Sequence, residues 1–206
     1  MNKNLPLSNI VVLDLTNVLS GPFATQILSD LGAEIIKVEK PNGDDSRKFG
    51  PFIKKRSSYF ISLNRGKKSI VVDFNNEEDK KIFKKLLAIS DVIIDNFKPG
   101  TLEKYGFSSS YLKKNFPLLI QTKISGFGET GPLKENPAYD MIVQAMGGIM
   151  SITGKDKNET YRVGSSIGDI VAGLYAVIGV LTQIIFRNQS KKGSRLDLSM
   201  LDCQVA

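Results

Sequence analysis

The chain has 206 residues, 41% hydrophobic and 24% charged, which is enough for one full core and ordinary for a globular domain. With no histidine and a single cysteine, Cys203, an intrachain disulfide is excluded and a zinc site is not expected, so no metal is assigned. A net charge of +7 suits an anionic ligand, but no long basic block interleaved with aromatics supports nucleic acid. Residues 1–6 lack the apolar core of a signal peptide, and a reducing cytoplasm is the expected compartment.

Residues 9–15, short and β-branched, predict a buried strand. Pro22 then suits a first helical turn with Ser20 or Gly21 as cap, and the helix ends at Gly32. Residues 34–39 form a second strand, completing a βαβ unit. A strand at 69–74 follows, then a helix opened by Asn76 with acids in its first turn. Strands are expected at 91–95 and 118–124, a helix at 139–152, an apolar helix at about 168–187 and a last strand at 195–200. Residues 170–181 carry no charge, but that run is short for a membrane span, so a buried core helix is expected. Strands alternating with helices predict an α/β fold: a Rossmann-like, open, mostly parallel sheet with flanking helices.

Asp169 is the most informative residue. It opens the apolar helix, where a charge is expensive unless something holds it. Helix N-terminal amides can hold it, so Asp169 is either a cap or a placed nucleophile. Gly126-Phe-Gly-Glu-Thr-Gly131 matches a dinucleotide fingerprint, but Pro132 and Pro137 follow where a helix should open, so a glycine-rich loop is expected. Such a loop is either a plain connection or a lid over a site. In parallel sheets ligands gather beyond the carboxyl ends of strands, which here carry residues 17–22, Lys40, residues 96–100 and the 126–131 loop. There Lys40, Lys98 and Lys104 are candidate phosphate contacts and Phe97 a platform for a flat base.

The chain resembles the family III CoA-transferases, the CaiB/BaiF group that includes formyl-CoA and carnitine CoA-transferases. The likeness is carried, in order, by Val12-Leu-Asp-Leu-Thr16, Ser20-Gly-Pro22, Leu31-Gly-Ala-Glu-Ile-Ile-Lys-Val-Glu39 and Asn64-Arg-Gly-Lys-Lys-Ser69. It continues through Asp95-Asn-Phe-Lys-Pro-Gly100, Tyr105-Gly-Phe107, Ser125-Gly-Phe-Gly128, Tyr139-Asp140, Gly168-Asp169 and Asp197-Leu-Ser-Met-Leu-Asp202. The resemblance implies that Asp169 is a nucleophile that passes through an aspartyl-CoA thioester, in the ionised state that a helix N-terminus would favour. It places Val18, Lys40, Asn96, Phe97 and Lys104 at CoA-contacting positions. Lys40 and Lys104 replace arginines found in some members, keeping the charge but losing the bidentate fork. Gly126, Gly128 and Gly131 resemble a loop that covers the intermediates, with Tyr139 nearby, and Asp140 either positions Tyr139 or caps its own helix. Leu19 stands where formyl-CoA transferase has a glutamine, which argues against formyl/oxalate specificity.

The resemblance further implies no permanently bound cofactor, an acyl-CoA thioester and a carboxylate acceptor as substrates, and no membrane. Members are longer, with a small domain and interlocked subunits. Residues 1–206 therefore correspond to the N-terminal part of the large domain, with a homodimer or a complementing C-terminal half as expected partner. The alternatives are a truncated, non-catalytic CoA-binding remnant or interaction protein, and an α-methylacyl-CoA racemase-like activity. The racemase shuttle uses a histidine where this chain has Tyr139.

Overall fold

The computed structural model describes residues 5–156 and 158–206; residues 1–4, at the start of the segment tested above for a leader, lie outside them. The chain runs through β1 (Val11–Asp14), α1 (Ser20–Asp30), β2 (Glu34–Glu39), β3 (Phe52–Ile53), β4 (Arg56–Ser57), α2 (Ser58–Asn64), β5 (Lys68–Val71), α3 (Glu77–Ile89) and β6 (Val92–Asp95). Then come α4 (Thr101–Lys104), α5 (Ser109–Asn115), β7 (Ile120–Ser125), α6 (Asp140–Met146), β8 (Gly154–Asp156), β9 (Glu159–Thr160), α7 (Ile167–Ser190), β10 (Arg195–Ser199) and α8 (Met200–Val205).

Six strands pair in parallel in the order β10–β7–β6–β1–β2–β5, and β3–β4 and β8–β9 are separate short hairpins. Successive strand side chains point to opposite faces, so each apolar strand feeds two cores. Val12, Ile35 and Ile94 go to one face, beneath Ala24 and Leu28 of α1 and Ala172, Ala176 and Val180 of α7. Leu13, Ile36 and Ile93 go to the other, against Phe83 and Leu87 of α3 and Leu112 of α5. The α/β expectation is met by a parallel sheet with a helical layer on each face. From β1 the chain winds outward to β2 and β5, then returns to β6 and winds the other way. The β1/β6 boundary is thus the switch point, where strand-end loops diverge and leave a crevice.

Several boundaries differ from expectation, each for a local reason. The helix expected over 139–152 stops at Met146 because Gly148 turns left-handed, with φ 84°, and a tight 3-10 turn over Ile149–Ile152 follows. The last strand stops at Ser199, whose hydroxyl accepts the Asp202 amide and caps α8. The third strand spans Lys68–Val71 rather than 69–74, and the short α2, α4 and α5 were not anticipated. The α3 start agrees: the Asn76 side chain accepts from the Glu78 and Asp79 amides.

Helix α7 is less buried than expected. It is 24 residues long and apolar enough to cross a membrane by length and composition. What places it here is packing: Ala172, Gly173, Ala176, Val177 and Val180 face α1 and the sheet. Its opposite face leaves Leu174, Ile178, Ile185 and Phe186 exposed.

Candidate active site

The crevice at the switch point is a cavity of about 550 Å³, within the range of ligand pockets. It is formed by the segments after β1, β2, β6 and β7, closed on one side by residues 134–139 and the first turn of α7. Val18, Lys40, Asn96, Phe97, Gly126, Tyr139 and Asp169 all line it.

The loop after β1 is over-determined by polar contacts. Asp14 Oδ1 accepts from the Thr16 amide at 2.9 Å and from its hydroxyl at 2.5 Å. Lys37 Nζ donates to the Thr16 carbonyl at 2.8 Å and forms a 2.9 Å ion pair with Asp44, both side chains being buried. Asn17 and Asn96 exchange reciprocal bonds at 2.9 Å, amide to side-chain oxygen and side-chain nitrogen to carbonyl. Asn17 also donates to Asp45 at 2.6 Å and accepts the Asp45 amide at 3.0 Å. Between these clamps Val18 is held at φ 69°, a conformation costly for a β-branched residue. Such strain persists only where the surroundings dictate it, and it clusters at binding sites.

Asp169 is the third residue of α7. Its partner is Ser20, at the start of α1, whose hydroxyl and backbone hydrogen-bond the carboxylate. The two helix starts approach closely because Gly173, one turn on, has no side chain: a Cβ there would lie 2.8 Å from the Ser20 carbonyl oxygen. The helix start was expected to favour the ionised carboxylate. Instead burial, reinforced by the Asp140 charge, outweighs the Ser20 hydrogen bonds and raises the Asp169 pKa to about 6. At pH 7 the group is still about 90% ionised, and it is a more basic carboxylate than an exposed aspartate. Asp169 is not a cap in the side-chain sense, since the N-cap is Ser166 and the carboxylate points to Ser20.

Other expected residues fall differently. Lys40 pairs with Asp45 at 2.7 Å, so an incoming anion would share it with that carboxylate. Lys104 is exposed on α4 outside the cavity, whereas its neighbours Thr101 and Tyr105 line it. Gly128 and Gly131 also lie outside the lining. Their loop is tied to β7 and β10: the Gly128 amide donates to Ser125 Oγ at 3.0 Å, the Glu129 amide donates to Asp197 Oδ2 at 2.8 Å, and Glu129 pairs with Arg195. Only Gly126 of the three meets the cavity. Tyr139 is 82% exposed, at the rim. The Asp140 side chain makes no capping bond to its own helix; it reaches across to α7.

Sequence reasoning missed Ser20 as a partner of Asp169, Tyr59, and Lys134 at the cavity wall. Burial, with Asp169 and Asp44 nearby, pushes the Tyr59 phenol up to about 12. Ser20 stood in a quoted motif, Ser20-Gly-Pro22, but nothing in one sequence pairs it with a residue 149 positions on. Among the described residues no cluster of His, Cys, Asp or Glu is suited to a metal.

The chain is 45% identical to the acetyl-CoA:oxalate CoA-transferase of Acetobacter aceti over 98% of its length, and covers 52% of that protein. It is 41% identical to the human succinyl-CoA:glutarate CoA-transferase over its whole length, covering 48% of that one. A crystal structure of a CaiB/BaiF family protein from Brucella suis superposes with a TM-score of 0.95 at 43% identity, over 98% of this chain and 55% of the other. The chain thus spans about half the length of the curated relatives it matches. The model of CoA-transferase family III matches residues 7–206, the segment that builds both the sheet and its switch-point cavity, and the chain belongs to that family.

Proposed function

We propose that this chain carries the nucleophile and much of the CoA-binding wall of an acyl-CoA:carboxylate CoA-transferase. The observation that carries the proposal is the Asp169 carboxylate itself: desolvated, raised to about 6, bound by Ser20 and open to the switch-point cavity. An Asp169 oxygen attacks the acyl-CoA carbonyl; a C–O bond forms, the C–S bond breaks, and CoA thiolate leaves a mixed anhydride. The thiolate then attacks Cγ of Asp169, releasing the donor acid and leaving an aspartyl-CoA thioester. The acceptor carboxylate attacks that carbonyl and expels thiolate, forming a second anhydride. Thiolate attack on the acceptor's acyl carbon then yields the new acyl-CoA and restores the Asp169 carboxylate. No proton is consumed, which suits a site without histidine.

CoA's phosphates would meet Lys40, Lys98 and Lys134 at the cavity edge, with Phe97 and the Asn17–Asn96 clamp against its flat base. Lys104 is a second-choice contact from the cavity's flank. The acceptor class is a small dicarboxylate, because relatives are named for oxalate, glutarate, mesaconate and malate. Leu19 had argued against oxalate; the relative named for it keeps oxalate in the assay. The remaining length of the relatives belongs to the proposed working assembly, as a complementing segment or second subunit.

The test offers an acyl-CoA and each dicarboxylate to the chain, alone and with a C-terminal half taken from a relative. Hydroxylamine trapping and mass spectrometry should find the adduct on Asp169, and Asp169→Ala should abolish both adduct and turnover. Turnover surviving that substitution would remove Asp169 from the role. CoA binding without any adduct in either assembly would leave a CoA-binding module instead.

A further inference from the structure

The first turn of α7 is held from outside. Its N-cap residue, Ser166, makes no side-chain capping bond. Asp140, the first residue of α6, does that work: its Oδ1 accepts the Gly168 amide proton at 2.8 Å. Asp140 Oδ2 accepts from Gln144 Nε2 at 2.7 Å, and Gln144 Oε1 accepts from the Val163 amide at 2.8 Å. Both side chains are buried, Gln144 completely. Gln144 Nε2 also donates to the Ser165 carbonyl at 3.3 Å, so helix α6 grips the 163–168 segment at three points, one of them the amide immediately before Asp169.

A neutral asparagine would cap an amide as well as an aspartate does. A buried anion beside a second carboxylate is the expensive choice. That expense is explained if the charge acts on Asp169, since a carboxylate with higher proton affinity is the stronger nucleophile.

We infer that Asp140 is the positioning residue for Asp169: it pins the Gly168 amide, fixing the backbone that presents the carboxylate, and sets its negative charge against that carboxylate from the neighbouring helix. The catalytic meaning rests on the role proposed for Asp169; the pinning does not. Other titratable groups near Asp169 come from every side. Tyr59 faces it from α2, and α1 supplies only the neutral Ser20. Across the cavity stand Lys37, Glu39, Lys40 and Asp44, each in an ion pair, and Lys98. Segment 134–139 adds Lys134, Glu135 and Tyr139. Of these acids Asp140 acts most strongly on Asp169.

The experiment uses the 206-residue chain, with amide exchange at Gly168 and the Asp169 titration followed by carbon-13 NMR of labelled aspartates. Asp140→Ala should speed exchange at Gly168 by about 2- to 30-fold, the range that a lost cap spans. Asp140→Asn keeps one oxygen for the Gly168 amide but turns an NH2 toward Gln144 Nε2, so it should restore protection in part while moving the Asp169 midpoint downward, a readout that a purely structural role would leave alone. Unchanged exchange in Asp140→Ala, or an unchanged midpoint in Asp140→Asn, overturns the inference. If Asp140→Ala does not fold, the Asp140→Asn titration decides alone. Both effects present, with no adduct on Asp169 in the transfer assay, would support the positioning while refuting the proposed function.

Discussion

A nucleophilic carboxylate must be ionised to attack, yet a well-solvated one is a poor nucleophile. In the role proposed for it, Asp169 would meet both demands by sitting partly out of water with only Ser20 to offset the loss. The arrangement has a thermodynamic cost. A group raised from 3.8 to about 6 on folding destabilises the folded state, once ionised, by about 3 kcal/mol. Asparagine at this position keeps an oxygen for Ser20 and removes the charge. We therefore expect Asp169→Asn to abolish transfer and to raise Tm by several degrees, at about 2–4 °C per kcal/mol for a chain this size. Calorimetry beside the transfer assay checks it; a lowered Tm would mean that the carboxylate is stabilised by contacts it does not have here. In the active assembly, transfer should fall as pH drops through about 6, as Asp169 takes up its proton.

At the scale of elements, what decides the site is where helices start and stop. The 139–152 apolar pattern reads as one helix, but Gly148 turns the chain left-handed and leaves α6 only long enough to present Asp140 to the first turn of α7 and Gln144 to the segment before it. An alanine at 148 would pay the left-handed penalty of about 1–2 kcal/mol. Gly148→Ala should lower the urea midpoint accordingly, whereas Gly164→Ala, at ordinary φ with open space around it, should not; equal effects would remove the turn's importance. Local chemistry of this kind explains what the sequence made legible. The strands at 34–39 and 91–95 were readable because buried parallel strands are short apolar runs, and Asp169 because a charge opens an apolar helix. The position of the 126–131 glycines relative to the cavity was not readable, because tethers such as Asp197 to Glu129 leave no mark in the sequence. Ser20 and Lys134 were illegible because their roles exist only once remote segments meet at the switch point.

For the whole molecule, buried acids fall into two groups with opposite pH signs. Burial raises Asp14, but Lys67 and Lys37, with hydroxyl bonds from Thr16 and Thr25, bring it well below the carboxylate range. Glu39 is likewise raised by burial, then lowered by Arg47, Ser69 and the Asp44 amide to about 2. The stabilisation these two provide is complete above their unfolded pKa values, 3.8 and 4.5, and is lost as pH falls through their folded ones. Asp169, Asp95 and Glu129 are raised, chiefly by burial, so their sign is reversed. Stability from these three is full below their unfolded values and is lost as pH rises through the folded ones, for Asp169 between 3.8 and about 6. The two slopes cross at about pH 4 to 4.5, below the range where Asp169 is mostly ionised. Urea midpoints measured against pH should therefore peak at about 4 to 4.5, fall until about 6, level off toward 7 and drop steeply below about 3. In Asp169→Asn the fall from 5 to 7 should shrink while the acid limb stays. A profile that climbs from 5 to 7 in the unaltered chain would show that Asp169 is solvated, and the account of its reactivity would fall with it.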